Sequence, residues 1–233
     1  MILLPLMRPA RHRPRDLRRF AARMTKFFAS FALLVALTAS EAAADGFDDA
    51  LNASEAEAVG EHRRALYLYG RAIASGDLDR ISQANTYYNR GSLQANLDNL
   101  VGAADDFTQA VQLRPDFALG HRSLAVVHAF AGRDIKALAA FGRALHINPE
   151  DPVAFNDRGT IYYKLGQLDE AIIDFTQALR LEPAYASAYY NRAATWEELD
   201  APERAADDYR ALLIIDPNDA GARADLERLG LKP

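Results

Sequence analysis

Residues 156–183 read NDRGTIYYKLGQLDEAIIDFTQALRLEP. The second half of this stretch places Ala171, Phe175 and Ala178 at intervals of four and then three residues. That spacing puts the three side chains on one face of an α-helix. Pro183 follows shortly afterwards and cannot continue the backbone hydrogen bonds of a helix, so it marks where the helix ends. The stretch therefore predicts an amphipathic helix with a defined end.

The same pattern recurs along the chain every 34 residues. The prolines are Pro115, Pro149, Pro183 and Pro217. The first alanine recurs as Ala103, Ala137, Ala171 and Ala205, and the aromatic residue recurs as Phe107, Phe141, Phe175 and Tyr209. The third position of the helix face is Ala110, Ala144, Ala178 and Leu212. A small residue upstream recurs as Gly91, Ala125, Gly159 and Ala193. Each upstream small residue lies in a preceding helix and can receive the aromatic ring. Each unit is thus predicted to be a helical hairpin that buries its apolar face by stacking on the next.

The period and the sequence of 156–183 resemble the tetratricopeptide-repeat (TPR) family almost throughout, and the resemblance covers nearly all of 46–233. It implies an all-α fold, an α-solenoid of stacked antiparallel helical hairpins with about five repeats and a C-terminal capping helix. The expected helix pairs are 84–97 with 101–113, 118–131 with 135–147, 152–165 with 168–181, and 186–199 with 202–214. The corresponding repeats are 84–117, 118–151, 152–185 and 186–217.

The two ends of the array depart from the pattern. Residues 46–83 are expected to form a degenerate first repeat, with Asp77 where the proline would stand and about four extra residues before the next unit. At the other end, Asn218 and Asp219 can cap a final helix that runs to Leu229. We expect 218–233 to be a capping helix with a polar outer face.

The N-terminal segment has the composition of a targeting signal. A basic start at Met24, an apolar run over 27–39 and small residues at 42–44 are typical of a bacterial secretory signal peptide over 24–44. An uncleaved membrane anchor and a buried helix are the alternatives, although the run is shorter than the ~20 residues of a membrane-spanning helix. Residues 1–23 are either a basic extension or precede the true initiator, Met24. The expected location is therefore periplasmic or secreted.

Charge and composition exclude several classes of function. The net charge is −5, and residues 45–233 carry −11 because the basic residues concentrate before them. Nucleic acid is an unfavourable partner for such a body, because phosphate binding needs clustered Lys and Arg. The absence of Cys excludes disulfides and thiolate metal sites. We expect no cofactor.

No catalytic pattern stands out from the repeat. His121 and His128 are seven residues apart but lack an evident third ligand, so we expect packing roles and no metal site. The pairs Asp105–Asp106 and Asp207–Asp208 recur in equivalent helices, which favours a solvated outer face over acid–base chemistry. We find no phosphate loop or nucleophile motif and do not expect an enzyme.

By the resemblance, the first helix of each hairpin lines a concave groove that binds a protein or peptide. The candidate partner-binding residues are Asn85, Tyr88, Asn89, Ser92, Asn96, Arg122, Val126, Phe130, Asn156, Asp157, Thr160, Tyr163, Lys164, Tyr190, Asn191 and Glu197. Asn, Tyr and Ser suit an extended peptide, whose backbone needs donors and acceptors. Asn89 and Asn191 are alternatively explained by the family consensus. Only Arg122 and Lys164 could supply a clamp for a terminal carboxylate, which disfavours the binding of chaperone tails.

The leading hypothesis is a non-catalytic scaffold or adaptor in the cell envelope that binds a peptide or partner protein in the groove. The alternative is a self-associating structural or assembly factor of an envelope complex, so a homo-oligomer is possible. A membrane is expected as a partner only if the signal segment remains as an anchor.

Overall fold

The computed structural model describes residues 44–232, with side chains from Gly46 onward, so the predicted basic extension and signal peptide lie outside the described residues. Within that range the chain forms eleven α-helices and no strand. Their bounds are α1 (Ala44–Ala58), α2 (His62–Ser75), α3 (Arg80–Asn96), α4 (Leu100–Leu113), α5 (Ala118–Phe130), α6 (Asp134–Ile147), α7 (Pro152–Lys164), α8 (Leu168–Leu181), α9 (Ala186–Glu198), α10 (Pro202–Ile215) and α11 (Ala220–Arg228).

The described residues form two compact units. Unit 1 extends to Ile147 and contains the hairpins α1–α2, α3–α4 and α5–α6, with α2 packed against α3 and α4 against α5. Unit 2 begins at Asn148 and contains the hairpins α7–α8 and α9–α10, with α8 packed against α9 and α11 packed against α10. The predicted all-α fold of consecutive helical hairpins is confirmed.

The core of each hairpin is the repeated alanine–aromatic motif. Ala171, Phe175 and Ala178 of α8 are fully buried, and the equivalent side chains of the other hairpins are buried as well. The small residue of the preceding helix lies directly against the ring. A Cβ atom placed on Gly159 would come within 2.8 Å of the Phe175 ring, and one on Gly91 within 3.1 Å of the Phe107 ring. Glycine at these positions lets the two helices of a hairpin approach closely.

The turn inside each hairpin contains one residue with a positive φ. This left-handed conformation favours glycine, because other residues place Cβ too close to the backbone. The five residues are Gly60, Asp98, Gly132, Gly166 and Asp200, with φ between 55° and 81°. Prolines such as Pro183 stand two residues after the last helical residue and prevent the helix from continuing.

Helix α3 begins at Arg80 and not at 84, as the period alone predicts. Asp79 caps it, accepting hydrogen bonds from the backbone N–H groups of Ile81 and Ser82 at 2.8 and 3.0 Å. An aspartate in this position satisfies amide groups that have no partner within the helix. The extra residues before the second repeat therefore lengthen α3 by one turn.

A buried ion pair joins the two helices of three hairpins. Arg158 donates from Nε and Nη2 to the two carboxylate oxygens of Asp174, at 2.7 Å each. The same bidentate pair recurs as Arg90 with Asp106 and as Arg192 with Asp208. In the hairpin α5–α6 the equivalent positions hold Leu124 and Ala140, which are also buried. At these equivalent positions, the two helices of a hairpin are thus joined either by an ion pair or by two apolar side chains.

These pairs correct one prediction. Asp105 and Asp207 are exposed, but Asp106 and Asp208 are buried, so only the first member of each aspartate pair lies on the outer face. Successive side chains on a helix point about 100° apart, and two neighbours do not share a face. The signal that could have revealed the ion pairs is an Arg sixteen residues before the second aspartate in each case.

Candidate partner-binding faces

The side of α3 that the sequence predicts to face a partner carries a row of carboxamides. Asn85, Asn89 and Asn96 are all partly exposed, and their spacing places them along one side of the helix. Oδ1 of Asn96 is shielded from solvent and accepts no hydrogen bond from the residues that the structure describes. The groups that a peptide backbone needs are therefore present on α3.

Two further candidates on α3, Tyr88 and Ser92, are buried in unit 1. Tyr88 is 7% exposed, and its ring centroid lies 5.4 Å from that of Phe107 and 5.0 Å from that of Phe117. Burial raises the pKa of Tyr88, and hydrogen bonds with Ser123 and Ser92 oppose that rise. The expectation that Tyr88 and Ser92 face a partner is wrong, because the neighbouring hairpin of the array covers them.

On α5, the structure buries Arg122 and Val126 and leaves Phe130 partly exposed. Arg122 is close enough to Tyr88 for its charge to lower the pKa of that hydroxyl. It therefore belongs to the interior of unit 1 and does not serve as a surface cation for a peptide carboxylate. Of the three predicted residues of α5, only Phe130 is partly exposed.

In unit 2 the predicted polar residues of α7 are used internally. Asn156 and Asp157 are fully buried, and Thr160 is nearly so. Nδ2 of Asn191, on α9, donates to Oδ1 of Asn156 at 2.8 Å, and Thr160 donates to the backbone oxygen of Asn156 at 2.9 Å. Asn156, Thr160 and Asn191 join α7 to α9, and all four residues are buried, so the expectation that they contact a partner is wrong. Buried polar groups are usually hydrogen-bonded, and the carboxamides of Asn156 and Asn191 bond to each other here.

At the end of α7, Tyr163 is partly exposed and Lys164 is exposed. On α9, Tyr190 and Glu197 are engaged by the last helices. The Tyr190 hydroxyl donates to Oδ1 of Asp219 at 2.5 Å, and that oxygen also caps α11 by accepting from the N–H of Ala222 at 3.0 Å. Burial and the Asp219 carboxylate raise the pKa of Tyr190.

Glu197 accepts a 2.6 Å hydrogen bond from Tyr209 and a 2.8 Å hydrogen bond from Arg228 of α11. Helix α11 therefore contacts the side of α9 that the sequence predicts to bind a partner. The predicted capping helix, α11, is held by Ala222 and Leu226, both fully buried, and by these polar contacts.

His128 of α5 is a half-buried titratable group. Burial lowers its pKa, and the charges of Lys136 and Arg133 lower it further. Its Nδ1 is shielded from solvent and has no hydrogen-bond partner among the described residues. Within residues 44–232 no three His, Asp or Glu side chains are grouped so that they could hold a metal ion. In the same part of the chain, no helix has the length and apolar character needed to cross a membrane.

Family models of the tetratricopeptide repeat match three segments, residues 84–117, 140–173 and 159–200. The chain contains tetratricopeptide repeats. Two of the three segments overlap in unit 2, and the third coincides with the hairpin α3–α4. No curated protein sequence matches the chain significantly.

Solved structures show the same fold. YrrB, described as a TPR protein with an unusual peptide-binding site, is 24% identical with a TM-score of 0.69, over 78% of this chain and 92% of that one. MamA from Desulfovibrio magneticus RS-1 is 17% identical with a TM-score of 0.69, over 76% of this chain and 98% of that one. A further MamA structure is 15% identical with a TM-score of 0.69, over 81% and 97% of the two chains. At these identities the comparison establishes an all-α TPR solenoid.

Proposed function

We propose that the protein is a non-catalytic scaffold that binds an extended peptide or a partner protein through the carboxamide row of α3, in the cell envelope of a bacterium. The observation that carries the proposal is the difference between two sets of asparagines. Asn156 and Asn191 of unit 2 bond to each other, whereas Asn85, Asn89 and Asn96 of unit 1 stand partly exposed along one helix.

A carboxamide suits an extended backbone because it offers two N–H donors and one carbonyl acceptor. Each hydrogen bond between such a side chain and a peptide backbone is worth about 0.5–1.5 kcal/mol. Phe130 at the end of α5 adds a partly exposed ring in the same unit. The peptide-binding site of YrrB supports the proposal by analogy of fold alone.

The proposed location rests on the predicted signal peptide over residues 24–44, which lies outside the described residues. Helix α1 begins at Ala44, so cleavage after that residue would leave the folded hairpins almost intact. Mass spectrometry of the protein from an envelope fraction tests this part of the proposal. A mature N-terminus at Asp45 is expected, and a chain that keeps residues 24–44 in the soluble cytoplasm would contradict it.

The binding site is tested by selection of peptides from a phage-displayed random library on the full chain, followed by titration calorimetry of the selected peptides. The test variant carries Asn85→Ala, Asn89→Ala and Asn96→Ala. Alanine has the higher helix propensity, so the variant should fold at least as stably as the wild type. We expect its affinity for the selected peptides to fall on the order of tenfold or more.

The matched control replaces Gln109 and Gln112 by alanine, because both are exposed amides on α4, the second helix of the same hairpin. It should bind as the wild type does. Equal binding by the triple variant and the wild type would contradict the assignment of α3, and failure to select any peptide would contradict the class of ligand.

A further inference from the structure

Unit 1 exposes two apolar side chains, Val101 and Ile135, that its own core does not bury. Val101, Ile135, Asp169 and Glu203 are equivalent residues, 34 apart, in the first turn of the second helix of each hairpin. In unit 2 the position is acidic and exposed, as expected for a solvated turn. In unit 1 it is Val101, 63% exposed, and Ile135, 72% exposed. The two side chains lie at the same end of consecutive stacked hairpins, α3–α4 and α5–α6.

Charges of opposite sign flank this pair. Asp98 and Asp105 lie one turn to either side of Val101, and both are exposed. Arg133 and Lys136 lie beside Ile135, and both are also exposed. None of the ion pairs formed within residues 46–232 uses any of these four side chains. The edge therefore has an acidic half and a basic half, each built around one exposed aliphatic residue.

The charges of the basic half act on the neighbouring His128. The charges of Lys136 and Arg133 contribute to the lowering of the His128 pKa, after the larger effect of burial. The half also contains Asp134, which is less exposed than its neighbours and begins α6. An anion at the start of a helix is stabilised by the helix dipole. Asp134 thus reduces the positive charge of the basic half without reversing it.

We propose that this turn edge of unit 1, defined by Asp98, Val101, Asp105, Arg133, Ile135 and Lys136, is an interface with a second copy of the chain. A twofold axis across the edge places the acidic half of one copy against the basic half of the other, and it does so twice. Twofold contacts are by far the commonest in homo-oligomers, and they require a self-complementary patch of this kind.

The same axis brings Val101 of one copy towards Ile135 of the other and removes both from water. The acidic turns of unit 2 cannot associate in this way, because Asp169 and Glu203 would face like charges. This interface is distinct from the carboxamide row of α3 and goes beyond the proposed function, so either can fail without the other.

Sedimentation velocity of the full chain over a wide concentration range tests the proposal. We expect a monomer–dimer equilibrium that shifts towards monomer as salt is added, because exposed charge pairs are screened. Ile135→Asp should weaken the dimer on the order of tenfold or more without unfolding the chain, since the side chain is mostly exposed.

Two charge variants give the decisive comparison. One carries Arg133→Glu and Lys136→Glu, and the other carries Asp98→Asn and Asp105→Lys. Each alone should be monomeric, because both halves of its edge then carry charge of the same sign. An equimolar mixture of the two should form a heterodimer, because each basic half now meets an acidic one. Circular dichroism of each variant separates loss of association from loss of fold.

Arg143→Glu is the matched control, since Arg143 is an exposed cation on α6 that lies away from the turn. It should dimerise as the wild type does. A chain that stays monomeric at every concentration overturns the proposal, and so does a dimer that survives Ile135→Asp and both charge variants unchanged.

Discussion

Replacing Arg158 by leucine should destabilise unit 2 strongly, and replacing Asp174 by alanine in the same chain should restore most of the loss. The Asp174 side chain is 2% exposed and receives two charged hydrogen bonds of 2.7 Å from Arg158. Burial raises the pKa of Asp174, and the Arg158 guanidinium only partly offsets that rise. Once the arginine is removed, a carboxylate is left buried without its counter-charge.

The magnitude follows from the exposure of the two partners. Removal of one member of a buried pair typically costs about 3–5 kcal/mol. Because Arg158 is itself 21% exposed, we expect about 3 kcal/mol for Arg158→Leu. Asp174→Ala alone should cost about 1–2 kcal/mol, since the remaining arginine can reach water. The double variant, Arg158→Leu with Asp174→Ala, has the same Leu and Ala that the hairpin α5–α6 has at Leu124 and Ala140. Its free energy of unfolding should lie within about 1 kcal/mol of the wild-type value.

Urea unfolding followed by the fluorescence of Trp196 measures these values. Trp196 is the only tryptophan and lies on α9, so its signal reports on unit 2. Arg180→Leu, which changes an exposed arginine of the same unit, is the control and should stay within about 0.5 kcal/mol. If the double variant loses as much as the two single variants together, Arg158 and Asp174 are not coupled and the reasoning is refuted.

Three further predictions follow from the packing and the titratable groups. Gly159→Ala should lower the free energy of unfolding by about 1–3 kcal/mol in the urea assay, because its methyl group would be 2.8 Å from the Phe175 ring. Tyr190→Phe should speed hydrogen exchange of the α11 amides and cost about 1 kcal/mol through loss of the bond to the α11 cap. His128→Tyr should flatten the loss of stability on acidification: the pKa of His128 is lowered in the folded state, so the unfolded chain takes up the proton first as pH falls below about 6.5.

Each of these predictions has a control in the chain. Gly142 lies on a helix, and a Cβ atom added there would have no atom near it. Gly142→Ala should therefore stabilise the protein by about 0.5–1 kcal/mol. Tyr162→Phe, another partly exposed tyrosine of unit 2, should leave exchange in α11 unchanged. His146→Gln, an exposed histidine of unit 1, should leave the pH dependence as it is. A neutral Gly159→Ala would contradict the first prediction. Exchange of the α11 amides at the wild-type rate in Tyr190→Phe would contradict the second, and an unchanged loss of stability on acidification in His128→Tyr would contradict the third.

The fold was predictable because its determinants are periodic. Alanine, aromatic residue and proline recur at fixed intervals, and the helices they define are present in the structure. The start of α3 was not predictable from the period, because it depends on Asp79, which caps the helix one turn before the repeat register would start it. Local side-chain hydrogen bonds of this kind add residues to a helix without changing the repeat.

The candidate site was less predictable, because position on a helix face does not say whether a neighbouring hairpin covers that face. Asn89 and Asn191 occupy the same repeat position, yet one is partly exposed and the other is buried against Asn156. The difference arises from the residue across the helix interface, which a single-helix argument does not consider. Substituting Tyr88 and Tyr190 would for the same reason disturb packing and the α11 cap.

Hydrogen exchange of the full chain with and without a selected peptide tests the central claim most directly. If the carboxamide row of α3 holds the peptide, the backbone amides of α3 and α5 should exchange more slowly in the complex, and the Asn85, Asn89 and Asn96 alanine variant should show no such protection. Protection confined to unit 2, or protection of α3 that persists in the variant, would contradict the assignment of the site.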